Sequence, residues 1–283
     1  MNMTGNKNNR LVNILGLSAV VLLVAFAYKP TFLWMYERYV GADSYYSHGF
    51  IVPLVALFFI YLKKNRLKQT AQKASIAGLF LVLFALLLHV LGTVLYIFSI
   101  SGFSLFFLAV GLSLFLFGKE ISKIIWFPLF FLIFMFPLPQ AVISLFSFPL
   151  KMLAARAGVL LVSLFGVPVH GEGFNIFIPA GRLLVGNPCS GLRSLIAFLA
   201  LGSVFAYMTP VSNGKKFLLF FLTIPIALLS NIIRVPILIL VSHYWGLEAA
   251  APHTFVHTGS GMLVFIVGFL LLLAFSKVLE WRT

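Results

Sequence analysis

The sequence predicts an all-α polytopic membrane protein. It has about eight transmembrane helices, an interfacial or re-entrant helix, and a small extracytoplasmic β-hairpin ahead of a single cysteine. Three observations carry this prediction. Hydrophobic residues make up 61% of the 283 and charged residues only 9%, whereas a soluble domain devotes about a quarter of its residues to charge. The mean hydropathy is +1.09, and the apolar runs are of the roughly 17–25 residues that a helix needs to cross a bilayer. The lysines and arginines behind the net charge of +14 gather in short segments between those runs. That is the pattern of cytoplasmic loops under the positive-inside rule, not of a basic nucleic-acid-binding face. Hydrophobicity continues along residues 1–283, which argues for one membrane domain.

The start, Met1 to Arg10, is polar and basic and runs into Leu11–Tyr28. No small-x-small site closes that run, so it is read as a retained first span and not a cleaved signal. An aromatic, mixed-charge loop, Lys29 to His48, leads to a second span at about Gly49–Leu62. Lys63, Lys64, Arg66, Lys68 and Lys73 then form the strongest cytoplasmic marker. Spans follow at about Ile76–Phe98, Gly102–Phe117 and, after Lys119 and Lys123, Ile124–Pro137. Residues 140–166 are apolar but carry Lys151 and Arg156. Each would cost roughly 2.5–3.5 kcal/mol at a bilayer centre, so a surface-lying or re-entrant helix is expected there. Between Val167 and Gly191 the apolar pieces Phe174–Ile178 and Leu183–Val185 are punctuated by Gly171, Gly173, Pro179, Gly181 and Gly186, the signature of a β-hairpin. Spans six, seven and eight are about Leu192–Met208, Phe217–Val241 and Met262–Phe275.

Charge then orients the chain. With the N-terminus cytoplasmic and eight crossings, Lys215, Lys216, Lys277 and Arg282 all return to the cytoplasmic side. Counting residues 140–166 as a crossing would put them outside. Under this topology the hairpin and Cys189 face outward, near the outer ends of spans six, seven and eight.

One cysteine excludes an intrachain disulfide and a multi-cysteine metal site. Such a thiol is either buried filler or a reactive group. Cys189 lies between a proline-broken loop and the start of a helix, where free N–H groups favour an anion and lower a thiol pKa. Ser190 and Gly191 offer a hydroxyl and an unhindered backbone beside it, and Arg193 adds positive charge one turn on. Arg234, with Asn231 in the same run Ser230 to Val235, is an ionisable residue inside an apolar segment and hence a functional candidate. Its alternative is a structural pairing with backbone carbonyls. Its fork of donors suits a thiolate or an oxyanion. His257 is placed to exchange a proton with the thiol, and His253, four residues earlier, is its rival. The histidine pair has no glutamate between its members as a His-Glu-x-x-His metal site would, and no cofactor is implied.

Five blocks, in order, resemble the exosortase/archaeosortase family. They are Asp43 to Pro53, with Tyr46-Ser-His48-Gly49; Phe136-Pro-Leu-Pro139; Val169 to Val185; Cys189-Ser-Gly-Leu-Arg193 with Asn231-Ile-Ile-Arg234; and His257-x-x-x-Gly261-x-x-x-Phe265. The likeness runs from about residue 40 to 270. It implies a membrane cysteine protease or transpeptidase that cleaves a C-terminal sorting signal, typically a Pro-Glu-Pro type motif followed by a transmembrane helix and a basic tail. The partners implied are exported proteins bearing that signal, the lipid bilayer of the cytoplasmic (inner) membrane, and an acceptor that is a lipid, a polysaccharide or water. By motif, Cys189 would be the nucleophile, Arg234 the thiolate or oxyanion stabiliser and His257 the proton carrier. For Tyr45–Gly49 a structural role is expected, with His48 a lesser candidate for the site. One departure is Asn187-Pro188 before the cysteine, where many relatives have alanine, so the signal recognised is expected to differ. A transporter using Arg234 as an anion site would need polarity deep in spans three to five, and little is found there. A polysaccharide ligase or polymerase would favour longer outer loops.

Overall fold

The computed structural model describes residues 15–16, 18–41, 44–186, 189–252 and 254–281, so His253, the Asn187-Pro188 pair and Arg282 lie outside the described residues. The chain forms two compact units, one built from residues up to Arg38 together with Lys63–Ile125, the other from Tyr39–Leu62 and Trp126 onward.

In the first unit, α1 (Ser18–Ala27) and α2 (Lys29–Val40) meet at a bend of 69°. The loop expected from Lys29 is therefore helical as far as Val40. The reason is local: Pro30 stands at the second position of α2, where its missing N–H costs no intrahelical bond and its fixed φ suits a helix start. A polar cluster packs beside the bend, which corrects the expectation of little polarity inside spans three and four: single serines and a histidine scattered through apolar runs converge once the helices pack. Tyr28 shares a hydrogen bond of 2.8 Å with Ser104, Thr31 one of 2.6 Å with Ser101, and His89 one of 2.7 Å with Ser101. Such pairing is required of polar side chains away from water. The short basic helix α3 (Lys64–Gln69) leads to α4 (Ile76–Val94) and α5 (Phe98–Leu112), which continues as a wider turn to Phe117. At 19 residues α4 is about 28 Å long, close to the hydrocarbon thickness. Leu83, Phe84, Leu87 and Val90 on it are exposed, as lipid-facing residues are. A side chain at Gly78 or Gly92 would overlap the backbone of α5, the close small-residue approach by which helices associate in lipid. The short helix α6 (Lys119–Ile124) ends this unit.

In the second unit, a 3-10 turn, Ser47–Phe50, opens α7 (Ile51–Leu62), and α8 (Trp126–Phe131) runs into a second 3-10 turn, Leu132–Met135. Pro137 and Pro139 then stop the chain from continuing as helix. The tyrosines and histidine before α7 take up the groups left free there. Tyr39 donates to the Met135 carbonyl at 2.6 Å, the Leu138 N–H donates to the Tyr46 hydroxyl at 3.1 Å, and His48 Nε2 lies 3.2 Å from the Phe134 carbonyl. The two sequence blocks around His48 and Pro137 are thus one structural device.

Residues 140–166, expected to lie on the surface or re-enter, contain one unbroken helix, α9 (Gln140–Ser163, 24 residues). It is one of five helices among the described residues that are long and apolar enough to cross a membrane by length and composition; the others are α4, α5 with its extension, Asn213–Trp245 and Phe255–Trp281, and the bent pair α1–α2 makes up to six. Ser47–Leu62, Trp126–Met135 and Leu192–Met208 are shorter apolar helices. Helix α9 does not turn back on itself, and Lys151 reaches the ring of Phe174, 6.0 Å from its centroid.

The expected hairpin gains a strand. β1 (His170–Glu172), β2 (Asn175–Ile178) and β3 (Gly181–Leu184) form an antiparallel sheet in the order β1-β2-β3, with Gly171 opposite Ile176 and Ile176 opposite Leu183. Helices α10 (Leu192–Met208), α11 (Asn213–Trp245) and α12 (Phe255–Trp281) complete the unit. Ile176, Ile178 and Val185 from the sheet region, Ala154, Ala155 and Val162 from α9, and Val235, Leu238 and Ile239 from α11 form one core, and Cys189 belongs to it.

Candidate active site

The segment after the sheet is shaped by three small residues. Gly191 has φ of +78°, a backbone region that L side chains avoid. A Cβ there would also stand 2.8–3.0 Å from the Asn231 side chain. Asn231 fills that space and donates from Nδ2 to the Cys189 carbonyl at 3.0 Å. The Ser190 hydroxyl accepts from the Leu192 N–H at 3.3 Å, and Ser194 donates to the Gly191 carbonyl at 2.9 Å. Cys189 is therefore held from both sides: by the start of α10 and by a side chain of α11.

Its sulfur faces α12. Cys189 Sγ lies 4.0 Å from His257 Nε2, and His257 Nδ1 lies 3.2 Å from the carbonyl of Ala250. A carbonyl only accepts, so Nδ1 carries the proton and Nε2 presents its lone pair to the thiol. The imidazole is thus oriented by backbone, a task that a carboxylate performs in many catalytic triads. Arg234, one turn beyond Asn231 on α11, donates from Nη2 to the His257 carbonyl at 3.1 Å and from Nε toward Ser260 Oγ at 3.4 Å, while Ser260 donates to the same carbonyl at 2.9 Å. The guanidinium lies over Gly261: a Cβ there would be 3.3 Å from Cζ and Nη2. In the His257-x-x-x-Gly261 spacing the histidine and the slot for the arginine share one face of α12. Phe265, one turn further, stacks on Phe198 of α10 at 4.9 Å.

A cavity of about 870 Å³ opens beside this cluster. Its wall includes Arg193, Arg234, His257, Ser47 and His48, with Ala197, Met262 and Phe265 among its apolar members, and among the described residues no carboxylate lines it. Cys189 itself is only 6% exposed.

Of the residues singled out in the sequence, Cys189, Ser190, Asn231, Arg234 and His257 come together, Arg193 joins them at the cavity, and His48 reaches the same wall from the turn before α7. Two contributors escaped sequence reading. Ser260 was passed over because Gly259-Ser260-Gly261 is uninformative by type. The Ala250 carbonyl, being backbone, leaves no residue-type signal at all.

The expected depression of the thiol pKa is corrected. Burial pushes the Cys189 thiol above its ordinary value, and the opposing pull of Arg234, then Arg193, is smaller. The physical reason is position: Gly191 is the cap of α10, so Cys189 stands two residues outside the helix, beyond the reach of its terminal turn. At rest the group is a thiol with an imidazole facing it. Alkylation of Cys189 by iodoacetamide is accordingly expected to be slow at neutral pH and to accelerate as pH rises past the usual thiol range. Arg234→Gln removes a cation that favours the thiolate, so its profile should move to still higher pH. A rate already at its plateau at pH 7 would contradict this.

A family model described as Transmembrane exosortase (Exosortase_EpsH) matches residues 34–274 of the chain. No curated protein and no solved structure matches it.

Proposed function

We propose that this chain, which belongs to the transmembrane exosortase family, is a membrane cysteine transpeptidase or protease that cuts the C-terminal sorting signal of exported proteins through a thioester on Cys189. The observation that carries the reading is the 4.0 Å approach of Sγ to a histidine nitrogen whose lone pair is turned toward it by the Ala250 carbonyl. In the reaction His257 takes the thiol proton as sulfur attacks the scissile carbonyl, then delivers it to the departing amine. The guanidinium of Arg234, at the wall of the cavity, stabilises the thiolate and the oxyanion of the tetrahedral intermediate. An acceptor, whether lipid, polysaccharide or water, resolves the thioester.

The charge pattern supports the compartment. With the basic segments Lys63–Lys73, Lys119–Lys123 and Lys215–Lys216 cytoplasmic, the site opens at the outer face of the cytoplasmic membrane. There it meets a substrate carrying a short motif, a transmembrane helix and a basic tail, of Pro-Glu-Pro type by family likeness. Trapping tests the reading directly. Full-length protein expressed with a tagged exported protein bearing such a tail should yield, after acid quench and proteolysis, a Cys189 peptide carrying the substrate's new C-terminus as a thioester. Hydroxylamine should remove the adduct. Processing without any adduct on Cys189 would sink the proposal.

A further inference from the structure

Among the described residues, His48 is the one member of the cavity wall with a ring nitrogen that the fold leaves unused. Nε2 lies 3.2 Å from the Phe134 carbonyl, so Nε2 carries the proton and Nδ1 is the acceptor. Among the described residues, Nδ1 has no hydrogen-bond partner. The ring is fixed on two sides, by that carbonyl and by stacking on Tyr46 at 5.9 Å. Tyr46 is itself held by the Leu138 N–H, and Gly49 beside it is packed so closely that a Cβ would meet the Tyr39 ring at 2.5 Å. A histidine so fixed, in one tautomer and half-buried at the edge of a cavity that also holds Arg234 and His257, is built to accept a proton there. His257, by contrast, has both nitrogens committed, one to Ala250 and one to the thiol.

We propose that His48 is the general base for the second half of the reaction, activating the acceptor that resolves the Cys189 thioester. This rests on the thioester reading above. As the acceptor H–X, an amine, alcohol or water, approaches through the cavity, its H–X bond breaks and the proton passes to His48 Nδ1. X bonds to the thioester carbon, the C–S bond breaks, and Cys189 departs as a thiolate beside Arg234. His48 then releases its proton to solvent, and the thiol is reprotonated through His257. The division of labour follows from placement: one histidine serves sulfur, which is buried behind the cavity, and the other serves the nucleophile, which must enter by it.

The test separates the two halves of the reaction and uses His48→Gln, whose amide can still donate to the Phe134 carbonyl but cannot act as a base. Full-length protein in detergent is acylated with p-nitrophenyl acetate. The burst of nitrophenolate reports acylation of Cys189, and the steady rate with glycinamide as acceptor reports resolution. His48→Gln should keep its burst rate within about twofold of wild type. Its steady rate should fall about 100-fold, the lower end of general-base contributions. Hydroxylamine, an acceptor that needs no base, should restore that rate. An unchanged steady rate in His48→Gln would reduce His48 to a structural donor and overturn the proposal, as would loss of the burst together with the steady rate. Failure of the parent reading is distinguishable: the wild type would then show no burst that Cys189→Ala removes, and both assignments would fall.

Discussion

Cys189→Ala is expected to abolish processing of sorting-signal substrates, a loss on the order of 10³-fold or more, while the protein still inserts and folds. The expectation follows from what the sulfur does and does not hold. Its carbonyl, not its side chain, receives the Asn231 bond, and the turn into α10 is set by Ser190 and Gly191. The sulfur's share of packing is one small group in a core that spans the sheet, α9 and α11, so its removal should cost about 1 kcal/mol. Cys189→Ser should do little better than alanine. A hydroxyl is far harder to ionise and a weaker nucleophile than a thiol, so an imidazole placed for sulfur activates it far less. The measurement is the rate of release of the C-terminal fragment from a tagged substrate, read beside membrane extraction and the melting profile of the variant. Wild-type processing by Cys189→Ala would remove the nucleophile assignment outright.

Arg234→Gln should lower the processing rate by about 10²–10³-fold, the usual consequence of removing a donor aimed at an oxyanion. Arg234→Lys should not restore it, because an ammonium cannot reproduce the planar fork that reaches the His257 carbonyl and Ser260 together. The structural part of the loss should be small, since Ser260 still donates to the His257 carbonyl at 2.9 Å when the arginine is gone. Gly261→Ala provides a graded control. Its new methyl would press on the guanidinium from 3.3 Å and displace it by a few tenths of an ångström, costing roughly tenfold, short of the 10²-fold that a 1 Å misplacement brings. Full activity in Arg234→Lys would show that only positive charge is needed there, and the oxyanion geometry would have to be abandoned.

Much of the site was legible in the sequence because its members announce themselves by local context. An arginine within the apolar run Phe217–Val241, a lone cysteine after a Gly/Pro-rich hairpin, and a histidine four residues before a glycine each stand out against their neighbours. The hairpin was legible from Pro179 and Gly181, but its third strand was not. His170–Glu172 is short and exposed and shows none of the alternation by which strands are recognised. The helical stretch Lys29–Val40 was missed because its mean apolarity is low and its aromatic and charged residues resemble a loop. Pro30 starts the helix. For residues 140–166 the charge count at Lys151 and Arg156 left two forms open, and the continuous helix Gln140–Ser163 removes the re-entrant one, because no glycine or proline break turns the backbone back on itself.

The sequence alone therefore determined the class of molecule, a multi-pass membrane protein, and singled out the residues of its candidate site, because hydropathy runs, charge clusters and turn residues act over a few positions along the chain. Tertiary structure decided the rest: that Asn231, 42 residues away, holds the carbonyl of Cys189 and that His257, 68 residues away, faces its sulfur; that a backbone carbonyl at Ala250 selects the tautomer; that His48 shares the cavity; and that burial raises the thiol pKa. Each of these depends on which groups meet once helices pack and on how much water they lose in doing so, and neither quantity is encoded in any short stretch of residues.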